Sequence, residues 1–317
     1  EADQTGIHTT SFSFSFLFGK GKMNLFAKNE RHQLFVGLVV GVLLWYVFGC
    51  CPQNIDLKGR KVVVCGASTG IGESMAYHYA ERGADIVIVA RREKQLNEVA
   101  ERCRERGGGN VYVVSADLST KEGCDELVKK TLKYFDGEIN TLILNHIIGY
   151  YQNWLDYDES KRYEFVDKIF RVNSYSYFDL ALSFLPYLEK SHQGRIGVVS
   201  SVAGRMGVSK VAPYAASKHA INGFFDSLRL DMHGRSNVTI TVHTIGNIDT
   251  PNAREGTKGH LDHMVWHPPS ECAASIITTT ELGERENYYP YLETKLVSVI
   301  QPIFPGFIDF VIRKIAG

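Results

Sequence analysis

Short, continuous apolar runs alternate with longer amphipathic stretches over most of the chain. Between the apolar runs, stretches such as REKQLNEVAERCRERG (92–107) carry apolar residues at helical spacing and end in glycine. Strands that are apolar on both faces and alternate with helices are typical of a parallel sheet covered by helices on both sides. The pattern therefore predicts an α/β fold with a doubly wound, Rossmann-type parallel sheet in a single domain, residues 52–290. The predicted strands are KVVVC (61–65), DIVIVA (85–90), NVYVVS (110–115), NTLILN (140–145), RIGVVS (195–200) and VTITVHTI (238–245).

An uncharged apolar run, LFVGLVVGVLLWYVFGCC (34–51), precedes this domain. A bilayer core is crossed by roughly 20 apolar residues in a helix, whereas the apolar core of a secretory signal usually has only ~7–15 residues. The run therefore favours a transmembrane anchor over a signal peptide or a buried core helix. Basic residues are more numerous before the run, which favours a cytosolic N-terminus and a domain on the far side of the membrane. They are Lys20, Lys22, Lys28 and Arg31, against Lys58, Arg60 and Lys61 after the run.

The two ends of the chain differ from the domain between them. Residues 1–33 include SFSFSFLF (11–18), which alternates like a strand without an evident partner, so this segment is predicted to be poorly ordered. Residues 291–317 are apolar but interrupted by Pro302 and Pro305, which makes a spanning helix unfavourable. Two interpretations of this segment stay open: an interfacial flap that takes substrate from the bilayer, or an element of the core or of a dimer.

Composition narrows the function classes. Hydrophobic residues make up 44% of the chain, charged residues 22%, and the net charge is zero, so a globular domain without a nucleic-acid partner is expected. The six cysteines are too few and too scattered for a disulfide framework, and none of them forms a CxxC motif. The eleven histidines form no HExxH motif, so no metal site is expected.

A glycine-rich stretch, GASTGIG (66–72), directly follows the first predicted strand and opens a predicted helix. Glycines allow the backbone to turn tightly and to approach a phosphate at the helix N-terminus. In this position the run predicts pyrophosphate binding rather than a turn needed for packing alone. The residues predicted to contact a dinucleotide here are Gly66, Ser68, Thr69, Gly70, Ile71 and Gly72.

The end of the second predicted strand distinguishes between the two nicotinamide dinucleotides. A carboxylate there would bond the adenosine 2′-hydroxyl of NAD, whereas arginine suits the 2′-phosphate of NADP. This chain reads VIVARRE, with Arg91 and Arg92, so NADP(H) is the predicted cofactor. Asp117, after the third strand, has two open interpretations: a bond to the adenine or a cap of the following helix.

Tyr214 and Lys218, in YAASK, lie four residues apart and therefore share one face of a predicted helix. Ser201 follows the fifth predicted strand, whose carboxyl end meets the cofactor edge of the sheet. Reduction of a carbonyl by hydride needs a proton donor, and a neighbouring ammonium is expected to lower the pKa of a phenol towards neutral pH. A serine hydroxyl can stabilise the developing oxyanion. Lys218 can also hold the nicotinamide ribose of the cofactor. The three residues therefore predict a site for carbonyl reduction or alcohol oxidation.

Together these motifs resemble the short-chain dehydrogenase/reductase superfamily over roughly residues 57–290. Gly66–Gly72 matches its glycine motif, and Tyr214-x-x-x-Lys218 matches its active-site motif. The resemblance implies that Asn173, in FRVNSYSY, supports a water-mediated proton relay beside Ser201, Tyr214 and Lys218.

Two departures from the usual pattern point to one branch of that superfamily. LILNHIIG (142–149) stands where the superfamily usually has Asn-Asn-Ala-Gly, and IGNIDT (245–250) stands where it usually has Pro-Gly before the closing Thr. Both variants resemble the 11β-hydroxysteroid dehydrogenases. The resemblance implies that Asn145 supports the sheet and the cofactor, and that Ile248 and Thr250 contact the nicotinamide amide or the pyrophosphate. His146 is predicted to be structural or pocket-lining.

Substrate contacts are expected from Ser201 and Tyr214 and from apolar or aromatic residues near them. These are Val208, Val211, Ala212, Pro213, Tyr150 and Tyr151.

The sequence therefore predicts a membrane-anchored, homodimeric, NADP(H)-dependent oxidoreductase acting on a lipophilic ketone or secondary alcohol, with a steroid as the leading substrate. Asn237-Val238-Thr239 is an N-glycosylation acceptor. With the charge bias and the lumenal relatives, it predicts a domain in the lumen of the endoplasmic reticulum. Two alternatives are a retinoid, other lipid or xenobiotic substrate, and a membrane protein that binds NADP without turnover.

Overall fold

A parallel sheet of seven strands forms the centre of the computed structural model, which describes residues 55–107 and 109–316. The strands are β1 (Lys61–Cys65), β2 (Asp85–Ala90), β3 (Val111–Ser115), β4 (Thr141–Leu144), β5 (Arg195–Val199), β6 (Thr239–Ile245) and β7 (Glu286–Tyr289). Their order in the sheet is β3-β2-β1-β4-β5-β6-β7, and every neighbouring pair is parallel. The order reverses between β1 and β4, which is where such sheets bind ligands.

Ten α-helices connect or follow the strands in the described part of the chain. They are α1 (Gly70–Glu81), α2 (Glu93–Arg106), α3 (Lys121–Tyr134), α4 (Arg162–Phe170), α5 (Ser176–Leu188), α6 (Ala212–Asp231), α7 (Pro251–Thr257), α8 (Pro269–Leu282), α9 (Tyr291–Ile300) and α10 (Pro305–Ala316). A π-helical turn, Arg171–Tyr175, joins α4 to α5.

The two faces of the sheet bury two apolar clusters, which explains why the strand sequences are continuously apolar. Val63 of β1 packs with Phe184 of α5 on one face. Val64 of the same strand packs with Met75 of α1 on the other. Successive strand residues point to opposite faces, so a sheet covered on both sides needs apolar residues at every position.

The predicted doubly wound fold is confirmed, and the six predicted strands are all present. The seventh strand, β7, was missed. Its sequence, ENYY, carries two polar residues and is only four residues long. Polar side chains are tolerated there because Asn287 is hydrogen-bonded to Ser275 and His243, and Glu286 pairs with Arg205. Long-range partners of this kind leave no local signal in a sequence.

The predicted anchor (34–51) and the predicted poorly ordered segment (1–33) lie outside the described residues. Within residues 55–107 and 109–316, no helix combines the length and the apolar character needed to cross a bilayer. The C-terminal segment folds as two short helices, because α9 ends at Ile300 and α10 begins at Pro305. Proline at the start of α10 is compatible with a helix that begins there.

Two histidines buried among polar partners should make the fold sensitive to acid. His243 of β6 donates to Thr280 through Nε2, and Nδ1 accepts from Asn287. Burial lowers the pKa of His243 to about 3, and burial together with Lys218 does the same for His146. Both residues bind protons more readily in the unfolded chain, so stability is lost as the pH falls from 6.5 towards 3.

We therefore expect the free energy of unfolding to drop by about 5 kcal/mol between pH 7.5 and 4.5 on account of these two residues. Urea unfolding at the two pH values measures this. His243→Gln should remove roughly half of the pH dependence, and the exposed His233→Gln serves as the control. An equal drop in wild type and His243→Gln would refute the assignment.

Candidate active site

The glycine loop between β1 and α1 is built for close backbone approach. Gly66 and Gly70 have φ angles of +76° and +67°, which disfavour any residue with a side chain. A Cβ at Gly72 would lie 2.2 Å from the carbonyl oxygen of Gly66. Asn145 donates from Nδ2 to the carbonyls of Cys65 and Gly66 at 3.3 and 3.4 Å and so links β4 to the loop.

The N-terminus of α1 faces a cavity of about 750 Å³ that the glycine loop lines. Thr69 precedes the first turn of α1 but makes no side-chain cap hydrogen bond. The first N–H groups of the helix are thus available to an anion, as a pyrophosphate site requires. Gly66, Ser68, Thr69, Gly70 and Ile71 line the cavity, whereas Gly72 lies behind them.

The two arginines after β2 lie at one end of the same cavity. Arg92 donates from Nη2 to Ser68 Oγ at 2.9 Å and to Thr69 Oγ1 at 3.0 Å. Its guanidinium is therefore held over the glycine loop, next to the hydroxyls that would also face a phosphate. A fixed cation in this position favours a dianionic ligand group over a neutral hydroxyl.

Asp117 lines the cavity beyond β3 and accepts a hydrogen bond from Ser119 N at 3.0 Å. Partial burial raises its pKa, but the hydrogen bonds from Ser119 and the charge of Arg91 bring it below the ordinary value. Helix α3 is capped by Thr120, whose Oγ1 accepts from Gly123 N. Of the two interpretations of Asp117, the helix cap is therefore wrong, and a contact with a bound nucleotide stays a prediction.

Ser201, Tyr214 and Lys218 meet at the carboxyl end of β5. Ser201 follows β5 and caps a short 3-10 turn by accepting from Ala203 N. Lys218, on α6, is 1% exposed and donates to the Val199 carbonyl at 2.9 Å. Its Nζ atom lies 5.8 Å from the centre of the Tyr214 ring. Ser201 and Tyr214 line the cavity, and Lys218 lies buried behind Tyr214.

The pKa values of the pair differ from the sequence prediction. Burial raises the pKa of Tyr214 above its ordinary value, and a hydrogen bond from Ser201 offsets this only in part. Burial lowers the pKa of Lys218 to about 7. The prediction that the ammonium brings Tyr214 towards neutral pH is therefore wrong for the protein alone, because desolvation disfavours both charged forms. The group that titrates near pH 7 is the lysine.

Lys218→Met should consequently make the protein more stable while disabling the site. A buried lysine destabilises the fold fully below pH 7 and progressively less as the pH rises to 10.5. Allowing for the lost hydrogen bond to Val199, we expect a gain of about 3 kcal/mol at pH 6.5. Urea unfolding at pH 6.5 and 9.5 should show this gain shrinking at the higher pH. A gain that is absent, or equal at both values, would contradict the burial argument.

Asn173 lies in the π-helical turn and is fully buried. Its Oδ1 accepts from Ile148 N, and its Nδ2 donates to the Ile148 carbonyl and to Ser217 Oγ at 3.3 Å. The side chain thus ties the segment after β4 to α6 next to Lys218. This contact helps to hold Tyr214 and Lys218 in place. The role of Asn173 in a water relay stays a prediction.

The predicted substrate contacts divide into two groups. Val208, Val211, Tyr150 and Tyr151 line the cavity, as do the predicted cofactor residues Ile248 and Thr250, whereas Ala212 and Pro213 do not. His146 also lines the cavity, in agreement with its predicted role.

Sequence reasoning missed the wall formed by α7 and the residues after it. Asn252, Ala253, Leu261 and Trp266 line the cavity there. The start of α7 was readable, because Thr250 caps a helix with Pro251 in its first turn. No local sequence pattern indicates that α7 and the residues after it fold back over the cavity.

The chain is similar in sequence to proteins of one known family. The family described as "short chain dehydrogenase" matches residues 60–260. Hydroxysteroid 11-beta-dehydrogenase 1-like protein from Danio rerio is 40% identical over 261 residues, which cover 82% of this chain and 88% of the relative. The protein of the same name from Gallus gallus is 40% identical over 255 residues, which cover 80% and 86%.

Solved structures share the fold at lower identity. A short chain dehydrogenase/reductase from Burkholderia phymatum, in complex with NAD, superposes with a TM-score of 0.66 at 18% identity over 74% of this chain and 90% of its own. An alcohol dehydrogenase from the archaeon Thermococcus sibiricus, complexed with 5-hydroxy-NADP, gives 0.63 at 22% identity over 73% and 96%.

Proposed function

Because the chain belongs to the short-chain dehydrogenase/reductase superfamily, in its 11β-hydroxysteroid dehydrogenase-like branch, we propose that it is an NADP(H)-dependent oxidoreductase. Its proposed reaction interconverts a lipophilic ketone and a secondary alcohol, with a steroid as the leading substrate. The observation that carries this proposal is that Ser201 and Tyr214, with the buried Lys218 next to Tyr214, line the same cavity as the glycine loop.

The residues of the chain have separable tasks in this reaction. The nicotinamide cofactor, when bound, supplies or accepts the hydride. Ser201 donates a hydrogen bond to the substrate oxygen and stabilises its developing charge. Tyr214 transfers the proton to or from that oxygen. Lys218, buried beside it with a pKa near 7, exchanges a proton at neutral pH and favours the phenolate when charged.

The preference for NADP(H) is supported by Arg92. Its guanidinium is fixed by Ser68 and Thr69, and Arg91 adds a second positive charge at the same end of the cavity. A carboxylate in this place would repel a 2′-phosphate, whereas arginine can bind it with two hydrogen bonds.

A lipophilic substrate is supported by the apolar part of the cavity lining. Val208, Val211, Leu261 and Trp266 contribute apolar or aromatic surface there, and Tyr151 adds a further ring. Sites of this kind bury apolar ligands and orient them by a few polar groups. The names of the relatives from Danio rerio and Gallus gallus favour a steroid within that class.

We also propose that the protein is held at the endoplasmic reticulum membrane, through residues 34–51, with its domain in the lumen and as a homodimer. Exposed apolar side chains on α9, α10 and the turn between them support attachment to a bilayer or to a second copy. They are Leu292, Leu296, Val299, Ile303, Phe304, Phe307 and Phe310. Asn237 is exposed, as glycosylation in the lumen requires.

Two measurements test this placement. A glycosidase-dependent shift in gel mobility that Asn237→Gln abolishes would support the lumenal orientation, and its absence would contradict it. Cross-linking in intact membranes, compared with a variant carrying Phe304→Ser and Phe307→Ser, would show whether the exposed apolar surface joins two copies.

The catalytic proposal is tested by NADPH oxidation with a panel of steroid, retinoid and quinone carbonyls. We expect turnover with a steroid ketone and a much lower rate with NADH. Turnover confined to retinoids or quinones would change the substrate class and leave the chemistry intact. If the protein binds NADPH but turns over no carbonyl, the alternative function, nucleotide binding without catalysis, is favoured.

A further inference from the structure

His146 is held rigidly in the wall of the cavity, immediately after β4. Its backbone packs against the glycine loop, since a Cβ at Gly66 would lie 2.7 Å from the His146 Cα. Its ring contacts the Tyr177 ring, with centroids 4.6 Å apart, and the Tyr177 hydroxyl donates to the His146 carbonyl at 2.8 Å. The side chain is 9% exposed.

The hydrogen bonds of Ser176 determine which nitrogen of His146 carries the proton. Ser176 Oγ lies 2.7 Å from the Val172 carbonyl and 2.7 Å from His146 Nε2. A carbonyl can only accept, so the single hydroxyl proton of Ser176 goes to Val172. His146 Nε2 must therefore carry a hydrogen and donate it to Ser176, which leaves Nδ1 with a lone pair.

That lone pair has no partner among the described residues, although Nδ1 is fully buried. A buried acceptor without a hydrogen bond is unfavourable, because it has lost its contacts with water and gained nothing in return. Such atoms in folded proteins usually contact an ordered water molecule or a bound ligand. We therefore expect His146 Nδ1 to accept a hydrogen bond from a donor in the cavity.

Lys218 is a buried group that has donors to spare and shares a neighbour with His146. Its ammonium has three N–H groups, one of which goes to Val199, and its Nζ atom lies 5.3 Å from the centre of the Tyr177 ring that His146 also contacts. Burial, then the charge of Lys218 and that of Arg91, lowers the pKa of His146 to about 3, with Asp117 opposing them. The imidazole is thus neutral at physiological pH. It can stabilise a nearby cation only by accepting a hydrogen bond.

We propose that His146 is a positioning residue for Lys218: its unprotonated Nδ1 accepts a hydrogen bond from a buried water molecule, which itself accepts one from Lys218 Nζ. The water and the imidazole stabilise the ammonium form of the lysine. The charged lysine then favours the phenolate of Tyr214 more than a neutral lysine would. The last step rests on the proposed function, whereas the water bridge does not.

The bridge is tested first without any activity measurement. In cofactor-free protein labelled with ¹⁵N-histidine, the signal that disappears in His146→Asn identifies the ring. We expect its proton on Nε2 between about pH 5 and 8, without titration, and a crystal structure with a water molecule within hydrogen-bond distance of Nδ1 and Nζ. A proton on Nδ1, or no shared water, would overturn the bridge.

Kinetics then separate positioning from packing. His146→Leu removes both ring nitrogens, whereas His146→Asn keeps an acceptor where Nδ1 lies. In alcohol oxidation, His146→Leu should move the acidic limb of the kcat/KM profile to higher pH by about 0.5–1 unit and lower kcat/KM about tenfold at pH 7.

His146→Asn should keep the wild-type profile and stay within about threefold in kcat/KM. An unshifted profile in His146→Leu, or an equal shift in His146→Asn, would refute the positioning role. If wild type turns over no substrate, the proposed function fails, while the ¹⁵N signal and the shared water still decide the bridge.

Discussion

Tyr214→Phe is expected to lower kcat/KM for a carbonyl substrate by about 10³-fold while nucleotide affinity changes by less than about threefold. The substitution removes one oxygen atom from a ring that packs with Ala203, Val211 and Ala215, so the wall of the cavity should keep its shape. Ser201 is a poor substitute, because an aliphatic hydroxyl is far too weak an acid to donate its proton at neutral pH. Steady-state kinetics and fluorescence titration with NADPH measure the two quantities.

Tyr151→Phe is the matched control for this variant. Tyr151 also lines the cavity, but its ring contacts His260 and Lys210, whereas Lys218 lies over the rings of Tyr177 and Tyr214. Its loss of a hydroxyl should alter kcat/KM by less than about fivefold. If Tyr214→Phe kept wild-type turnover, or if both tyrosines cost the same, the assignment of the proton to Tyr214 would be untenable.

Arg92→Leu is expected to raise the KM for NADPH by about 10–100-fold with little change in the KM for NADH. The reason is that the guanidinium is fixed beside the glycine loop by Ser68 and Thr69. A group held in place before the ligand arrives gives up little entropy when it binds a phosphate. Initial rates with both nucleotides at saturating substrate provide the measurement.

Arg102→Leu controls for the loss of one positive charge. Arg102 is exposed on α2 and pairs with Glu73, away from the cavity lining. The Arg102→Leu substitution should leave the KM values for NADPH and NADH unchanged. Arg91→Leu should have a smaller effect than Arg92→Leu, because the loop hydroxyls hold only Arg92. Equal KM values for NADPH and NADH in wild type would remove the basis for proposing NADP.

Local patterns were sufficient for the elements that place the cofactor loop and the Tyr214–Lys218 pair. Strand β1, the glycines after it and the start of α1 are contiguous in sequence, so their contacts are encoded at short range. The tyrosine and the lysine share a face of α6 for the same reason. Their meeting with Ser201 followed from a general property of parallel sheets, whose strand ends share one edge.

The features that sequence reasoning missed depend on the folded surroundings. Burial sets the pKa values of Tyr214 and Lys218, and it comes from residues far apart in the chain. The free Nδ1 of His146 depends on where Ser176 sends its proton, which requires coordinates. The polar strand β7 exists because β6 offers an open edge and α8 supplies Ser275 as a partner.

The close packing of Thr250 on Gly70 has a consequence for the order in which ligands bind. A Cβ at Gly70 would lie 2.8 Å from Thr250 Cγ2, and Thr250 caps the helix that begins the far wall of the cavity. A nucleotide bound at the glycine loop should therefore affect, through Thr250, the shape of the part of the cavity that binds the substrate. The expected kinetic scheme is compulsory-order, with the nucleotide first on and last off, and product inhibition by the oxidised nucleotide competitive against the reduced one.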